Sequence, residues 1–121
     1  RGGQCLIGED CFIGHGCTIV AIESILIGRY CLIGEYVSIR DQDHNIDSDS
    51  EITVSGLVSS PIEVGQGVWI GAHSTVTKGC RIENGAVVGA NSVARGLIRA
   101  RSVNVGAPAR QIRLRKTDAN K

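Results

Sequence analysis

The chain has 121 residues, a single-domain length, with a net charge of +1 and 42% hydrophobic residues, enough for one core. Aromatics make up only 3%, methionine is absent and glycine occurs 16 times, so a core must be built from Ile, Val, Leu, Ala and Cys. The near-neutral charge argues against nucleic acid as a partner. No stretch approaches the roughly 18 consecutive apolar residues of a membrane span, and no signal-peptide pattern is visible.

The chain opens on Arg1 and is already inside a repeat by Ile7, so an upstream segment is expected. Aliphatic residues return every sixth position at Ile7, Ile13 and Ile19, then at Ile27, Ile33 and Ile39. The spacing from Ile19 to Ile27 is eight, a two-residue insertion at a corner. The phase is lost over the polar, acidic stretch from Asp41 to Pro61, which holds Asp41, Asp43, Asp47, Asp49 and Glu51 without a lysine or arginine. It resumes at Val64, Ile70, Val76, Ile82 and Val88. From Arg95 onward the chain turns basic, and residues 115–121 read as a solvated basic tail.

A period of six fits neither a helix nor a plain alternating strand, yet each unit holds a short alternation. It predicts short strands with a bend after each, three sides making one triangular coil of about eighteen residues. Coils would stack at the ~4.8 Å spacing of paired strands. The aliphatic residue fills the middle of a side. Four places later a small one, such as Val37, Val68, Ser74, Ala86 or Ser92, fits near a corner. Glycine follows the aliphatic residue at seven of eleven steps and is expected to supply positive φ at the bend. No unit can bury its own face alone, so several must stack.

The cysteines test the register. Cys5, Cys11, Cys17, Cys31 and Cys80 all fall at the small inward position. An odd count without a CxxC pair argues against a disulfide scaffold or zinc ribbon, so all five read as reduced core residues of a cytoplasmic protein. The segment thrown out of the rhythm, about 41–61, is where function is expected.

These repeats, the Asp41-Gln42-Asp43-His44 loop, Val68-Trp69-Ile70-Gly71-Ala72, Gly89-Ala90-Asn91-Ser92-Val93 and Gly106-Ala107-Pro108-Ala109 together resemble the hexapeptide-repeat acyltransferases. The resemblance is strongest to the maltose, galactoside, nodulation and capsular-sugar O-acetyltransferase branch, over about Ile7 to Arg113. It implies an all-β, left-handed parallel β-helix over residues 1–114, assembled as a homotrimer with acyl-CoA held in clefts between subunits. It implies acetyl-CoA as co-substrate, no metal, and a small-molecule or saccharide acceptor. His44 matches the family's general base. Trp69 and the backbones of Ala72 and Ala90 match the pantetheine channel, and Arg110 and Arg113 match basic residues near the phosphates. Where the family often has Thr-Lys this chain reads Ala94-Arg95, and Arg95 is expected to keep a basic contact. The acceptor-binding asparagine and N-terminal segment of galactoside-type members have no counterpart here.

The chemistry of these residues agrees with such roles. Acyl transfer to a hydroxyl needs a base, and histidine ordinarily titrates near neutrality. Asp41 or Asp43 is close enough in sequence to orient the imidazole, and Asp43 is taken as its partner. Trp69, the only tryptophan, cannot easily point into a narrow prism filled by β-branched residues, so it is expected on a ligand or subunit wall. Arginine suits phosphate. Three alternatives stay open. They are N-acylation of an amino sugar or antibiotic, a γ-carbonic-anhydrase-like metal enzyme using His15 and His73, and a non-catalytic solenoid. His15 and His73 do not have the five-residue spacing of that metal site.

Overall fold

A computed structural model describes residues 2–120; Arg1 and Lys121, the outermost residues of the expected solenoid and tail, lie outside them. The first coil is formed by β1 (Gln4–Ile7), β2 (Phe12–Ile13) and β3 (Thr18–Val20), and the second by β4 (Ser24–Ile27), β5 (Leu32–Ile33) and β6 (Ser38–Arg40). The chain then leaves the prism as β7 (Gln42–His44), a 3-10 turn at Ile52–Val54, and β8 (Leu57–Ser59). It re-enters with β9 (Ile62–Val64), β10 (Trp69–Ile70) and β11 (Thr75–Val76), then β12 (Arg81–Ile82), β13 (Val87–Val88) and β14 (Val93–Ala94). The last coil holds β15 (Leu97–Ile98) and β16 (Ser102–Gly106), and β17 (Ala109–Leu114) folds back on β16.

Three parallel sheets form the sides of a left-handed β-helix. Side A stacks β1-β4-β9-β12-β15, side B stacks β2-β5-β10-β13-β16, and side C stacks β3-β6-β11-β14. β17 extends side B antiparallel to β16, and β7 and β8 form a separate antiparallel pair.

The six-residue rhythm is the core. Ile27, Ile33, Ile39, Val64, Ile70, Val76, Ile82 and Val88 are all buried, as are the small corner residues Cys31, Val37, Val68, Cys80 and Ala86. Thiols suit these corners because they pack as small hydrophobes and still donate. The Cys11, Cys17 and Cys31 Sγ atoms reach the carbonyls of Gly28, Gly34 and Gly65 on the next coil, at 3.0–3.1 Å.

Two expectations need correction. The glycine after each aliphatic residue is not there for positive φ. The left-handed residue comes two places later, at Tyr36, His73 and Asn91 for instance. A Cβ on Gly34 would instead stand 2.7 Å from the Ala72 nitrogen, and one on Gly71 would stand 2.5 Å from that of Ala90. Close approach between coils selects these glycines. The cysteines also differ among themselves. All five are free, but Cys5 is exposed and Cys11 and Cys17 are half-buried, because the first coil is covered on one side only. For the same reason the inward Ile7 and Ile13 stay partly exposed.

Burial pushes the Cys80 thiol up from 9.0 to about 12. Between those values the unfolded thiol has lost its proton and the folded one keeps it, so linkage removes stability as pH rises through that window. Denaturant midpoints are expected to fall from about pH 9 upward. Alkylation of the native protein should modify Cys5 first and spare Cys31 and Cys80 until unfolding.

Candidate functional site

The first feature is a row of side chains on the outer face of side B. Strand register aligns Phe12, Leu32, Trp69, Val87 and Val103 one coil apart, and Arg113 of β17 stands opposite Val103. Alternation along each strand sends Ile70 and Val88 inward and their neighbours outward. Trp69 is 51% exposed, as its width demands. At the C-terminal end of the row lies an open cleft of about 510 Å³ lined by Gly67, Trp69, Val87, Val103, Arg113, Arg115 and Lys116. Its floor is apolar and its rim carries three positive charges.

The sequence places Arg115 and Lys116 in a solvated basic tail. Instead Arg115 bonds through its backbone to the Arg101 carbonyl at 2.8 Å and through its guanidinium to the Gly85 carbonyl at 3.1 Å. Arg110, opposite Val105, is exposed on the same return strand but outside the cleft lining.

The corner after side B carries Ala72 and Ala90. Both stack against the corner glycine of the preceding coil, and among the described residues neither backbone N–H finds an acceptor. Beside them runs a ladder of exposed rings, with His15 edge-on to Tyr36 at 5.5 Å and Tyr36 stacked on His73 at 5.3 Å. The described residues hold no group of three or more His, Cys, Asp or Glu that could bind a metal.

His44 lies elsewhere, at the corner between sides C and A, where the chain leaves the prism. Its strand β7 pairs with β8, His44 opposite Leu57, so the imidazole projects from a rigid ribbon rather than a loose loop. With Arg40, Gln42, Asp43 and Leu57 it lines a polar hollow of about 390 Å³. Neither nearby aspartate hydrogen-bonds it. The Asp43 carboxylate is 3.5 Å from Lys78. Asp41 is fully buried and accepts hydrogen bonds from the backbone N–H groups of Ile22, Glu23 and Ser24, at 2.7–3.0 Å. Those three residues lie at the corner lengthened by the two-residue insertion, so Asp41 anchors that corner instead of steering the base. Arg95 is exposed and follows β14 of side C, at this same corner and away from the Trp69 cleft.

One chain therefore carries the expected site residues in two separate groups. Trp69, Arg113 and the Ala72 and Ala90 backbones share side B and its following corner, while His44, Asp43 and Arg95 share the opposite corner. A further hollow of about 620 Å³, on side A, brings neither imidazole nor thiol, and its Arg81 and Glu63 pair with each other at 3.7 Å.

Comparison with known proteins adds the following. Residues 61–96 match the family model for bacterial transferase hexapeptide (six repeats), and residues 5–35 match that for the hexapeptide repeat of succinyl-transferase, together more than half the chain. A putative lipopolysaccharide biosynthesis O-acetyl transferase of Escherichia coli is 51% identical over 57 residues, covering 47% of this chain and 29% of that protein. A probable acetyltransferase of Mycobacterium tuberculosis is 38% identical over 79 residues, 64% of this chain and 26% of its own length. The chain thus spans between a quarter and a third of these relatives. Among solved structures, a hexapeptide-repeat acetyltransferase of Vibrio cholerae O1 biovar eltor complexed with acetyl-CoA superposes with a TM-score of 0.85. It is 29% identical, over 93% of this chain and 61% of that one.

Proposed function

The chain belongs to the hexapeptide-repeat transferases, and from that premise we propose that it moves an acetyl group from acetyl-CoA to a hydroxyl of a saccharide acceptor. The observation that carries this reading is the cleft at Trp69. An apolar floor of Trp69, Val87 and Val103 suits the pantetheine arm, and Arg113, Arg115 and Lys116 suit the phosphates. The free N–H groups of Ala72 and Ala90 would receive the arm's amide carbonyls, and Arg110 a phosphate oxygen beyond the cleft. The relatives named for O-acetyl transfer and the acetyl-CoA complex of a structural neighbour support the choice of donor and acceptor.

His44 is the general base of this proposal. Its ring takes the proton from the acceptor hydroxyl as that oxygen attacks the thioester carbonyl. Collapse of the tetrahedral intermediate breaks the C–S bond, and the imidazolium returns the proton to the departing sulfur. A backbone N–H in the cleft would hold the oxyanion. Asp43, engaged by Lys78, would serve by tying the His44 ribbon to the prism, with Arg95 a basic contact at the same corner.

The two groups on different faces also support a homotrimer, in which a neighbour's His44 corner meets the Trp69 face and each site lies between two chains. No helix among the described residues is long and apolar enough to cross a membrane, and five free cysteines fit a reducing compartment, which favours the cytoplasm.

Trp69→Ala and Arg113→Ala are the direct test of the cleft. Each should weaken CoA binding by roughly 1–2 kcal/mol, about tenfold, in a calorimetric titration, while the oligomer seen by light scattering is unchanged. Unaltered CoA affinity in both variants would remove the cleft from the proposal.

A further inference from the structure

Gln42, one of the residues lining the hollow beside His44, carries the one buried side-chain nitrogen or oxygen without a hydrogen-bond partner among the described residues. Gln42 is only 9% exposed, yet its Oε1 has no hydrogen-bond partner. Buried polar atoms are almost always satisfied, and burying one without a partner costs stability. β7 itself has no use for the amide. Its ladder with β8 is made by backbone groups, and an apolar side chain of the same size would fill the position without an orphan. Gln42 and His44 are two residues apart on one strand, so their side chains leave the same face, and both line the hollow.

The chemistry of the orphan narrows what could occupy the space. Oε1 only accepts, so it disfavours a carboxylate or phosphate and asks for a donor. A half-turn of the amide would present N–H instead, and a hydroxyl can pair with either end. The remaining lining is polar apart from Leu57, and about 390 Å³ lies within the usual range of small-ligand pockets.

We propose that Gln42 is an acceptor-binding residue whose amide hydrogen-bonds the hydroxyl next to the one His44 deprotonates, so that the acceptor must carry a vicinal diol. This rests on the transferase reading above and deepens it by assigning a recognition element to the same site. A site built around a buried hydrogen bond rejects the analogue that lacks the hydroxyl, because the protein's own group is then left unpaired.

The test compares wild type with Gln42→Leu, which keeps the volume and removes the amide, and with Gln42→Asn, which keeps the amide on a shorter arm. Thiol release from acetyl-CoA is followed with methyl glucoside, methyl galactoside and the monodeoxy analogues of each, and CoA affinity is titrated separately. Gln42→Leu should raise the acceptor KM about tenfold and leave the acetyl-CoA KM unchanged, with a thermal midpoint no lower than that of wild type. Gln42→Asn should fall between the two. Wild type should disfavour one monodeoxy analogue by a similar factor, and Gln42→Leu should treat it and the parent sugar alike. Equal changes in both KM values, a lowered midpoint in both variants, or undiminished discrimination by Gln42→Leu would overturn the assignment. A wild type that binds CoA but turns over none of these diols would overturn it too. A wild type that neither binds CoA nor releases thiol would overturn the transferase reading instead.

Discussion

Replacing His44 with alanine is expected to lower kcat by about 10²- to 10⁴-fold in a thiol-release assay, the usual worth of a positioned general base. The side chain is exposed and its strand is held by backbone pairing with β8, so the variant should keep its fold, thermal midpoint and oligomeric state. CoA affinity should be unchanged, because the Trp69 cleft shares no residue with the His44 hollow. That combination separates loss of a base from loss of structure. A variant with near wild-type kcat would end the role assigned to His44, whatever the fate of the cleft.

Asp41→Ala is expected to give the largest loss of stability at a polar residue. The carboxylate is fully buried and satisfies three backbone N–H groups, while the Asp41 carbonyl accepts from the Ser60 nitrogen at 2.9 Å. The side chain therefore staples the lengthened corner, and its backbone closes the base of the extruded ribbon. Removing the carboxylate leaves several buried donors without an acceptor, at a cost of about 3 kcal/mol or more, which is roughly 10 °C in thermal midpoint for a chain of this size. Asp41→Asn retains one acceptor oxygen and should fall part-way. The contrast with Asp43 is informative. Its bridge to Lys78 joins two partly exposed side chains, so Asp43→Ala should cost no more than about 1 kcal/mol. Equal destabilisation by the two substitutions would contradict the structural role given to Asp41, and chemical denaturation measures both.

The two aspartates lie two residues apart in one acidic run and look equivalent in sequence. What distinguishes them is the lengthened corner some twenty residues upstream, whose bare N–H groups need an acceptor that only the fold brings near. Gln42 is a similar case. Nothing in the string Asp-Gln-Asp-His marks the glutamine, because an unsatisfied buried atom is a property of surroundings. Arg115 and Lys116 read as tail charges, since no local signal announces that β17 doubles back and carries them to the Trp69 cleft.

By itself the sequence determined the coil. Wedges at every sixth position, small residues four places on and cysteines in one phase specify three stacked sides, because a solenoid's contacts run between near neighbours and repeat with the chain. It also marked Trp69 as an outward residue and the 41–61 segment as the departure. Only the tertiary structure decided why the corner glycines are glycines, that the departure begins as a paired ribbon, and that His44 and Trp69 occupy different faces of one chain. Those are distances between segments far apart in sequence, and periodicity carries no record of them.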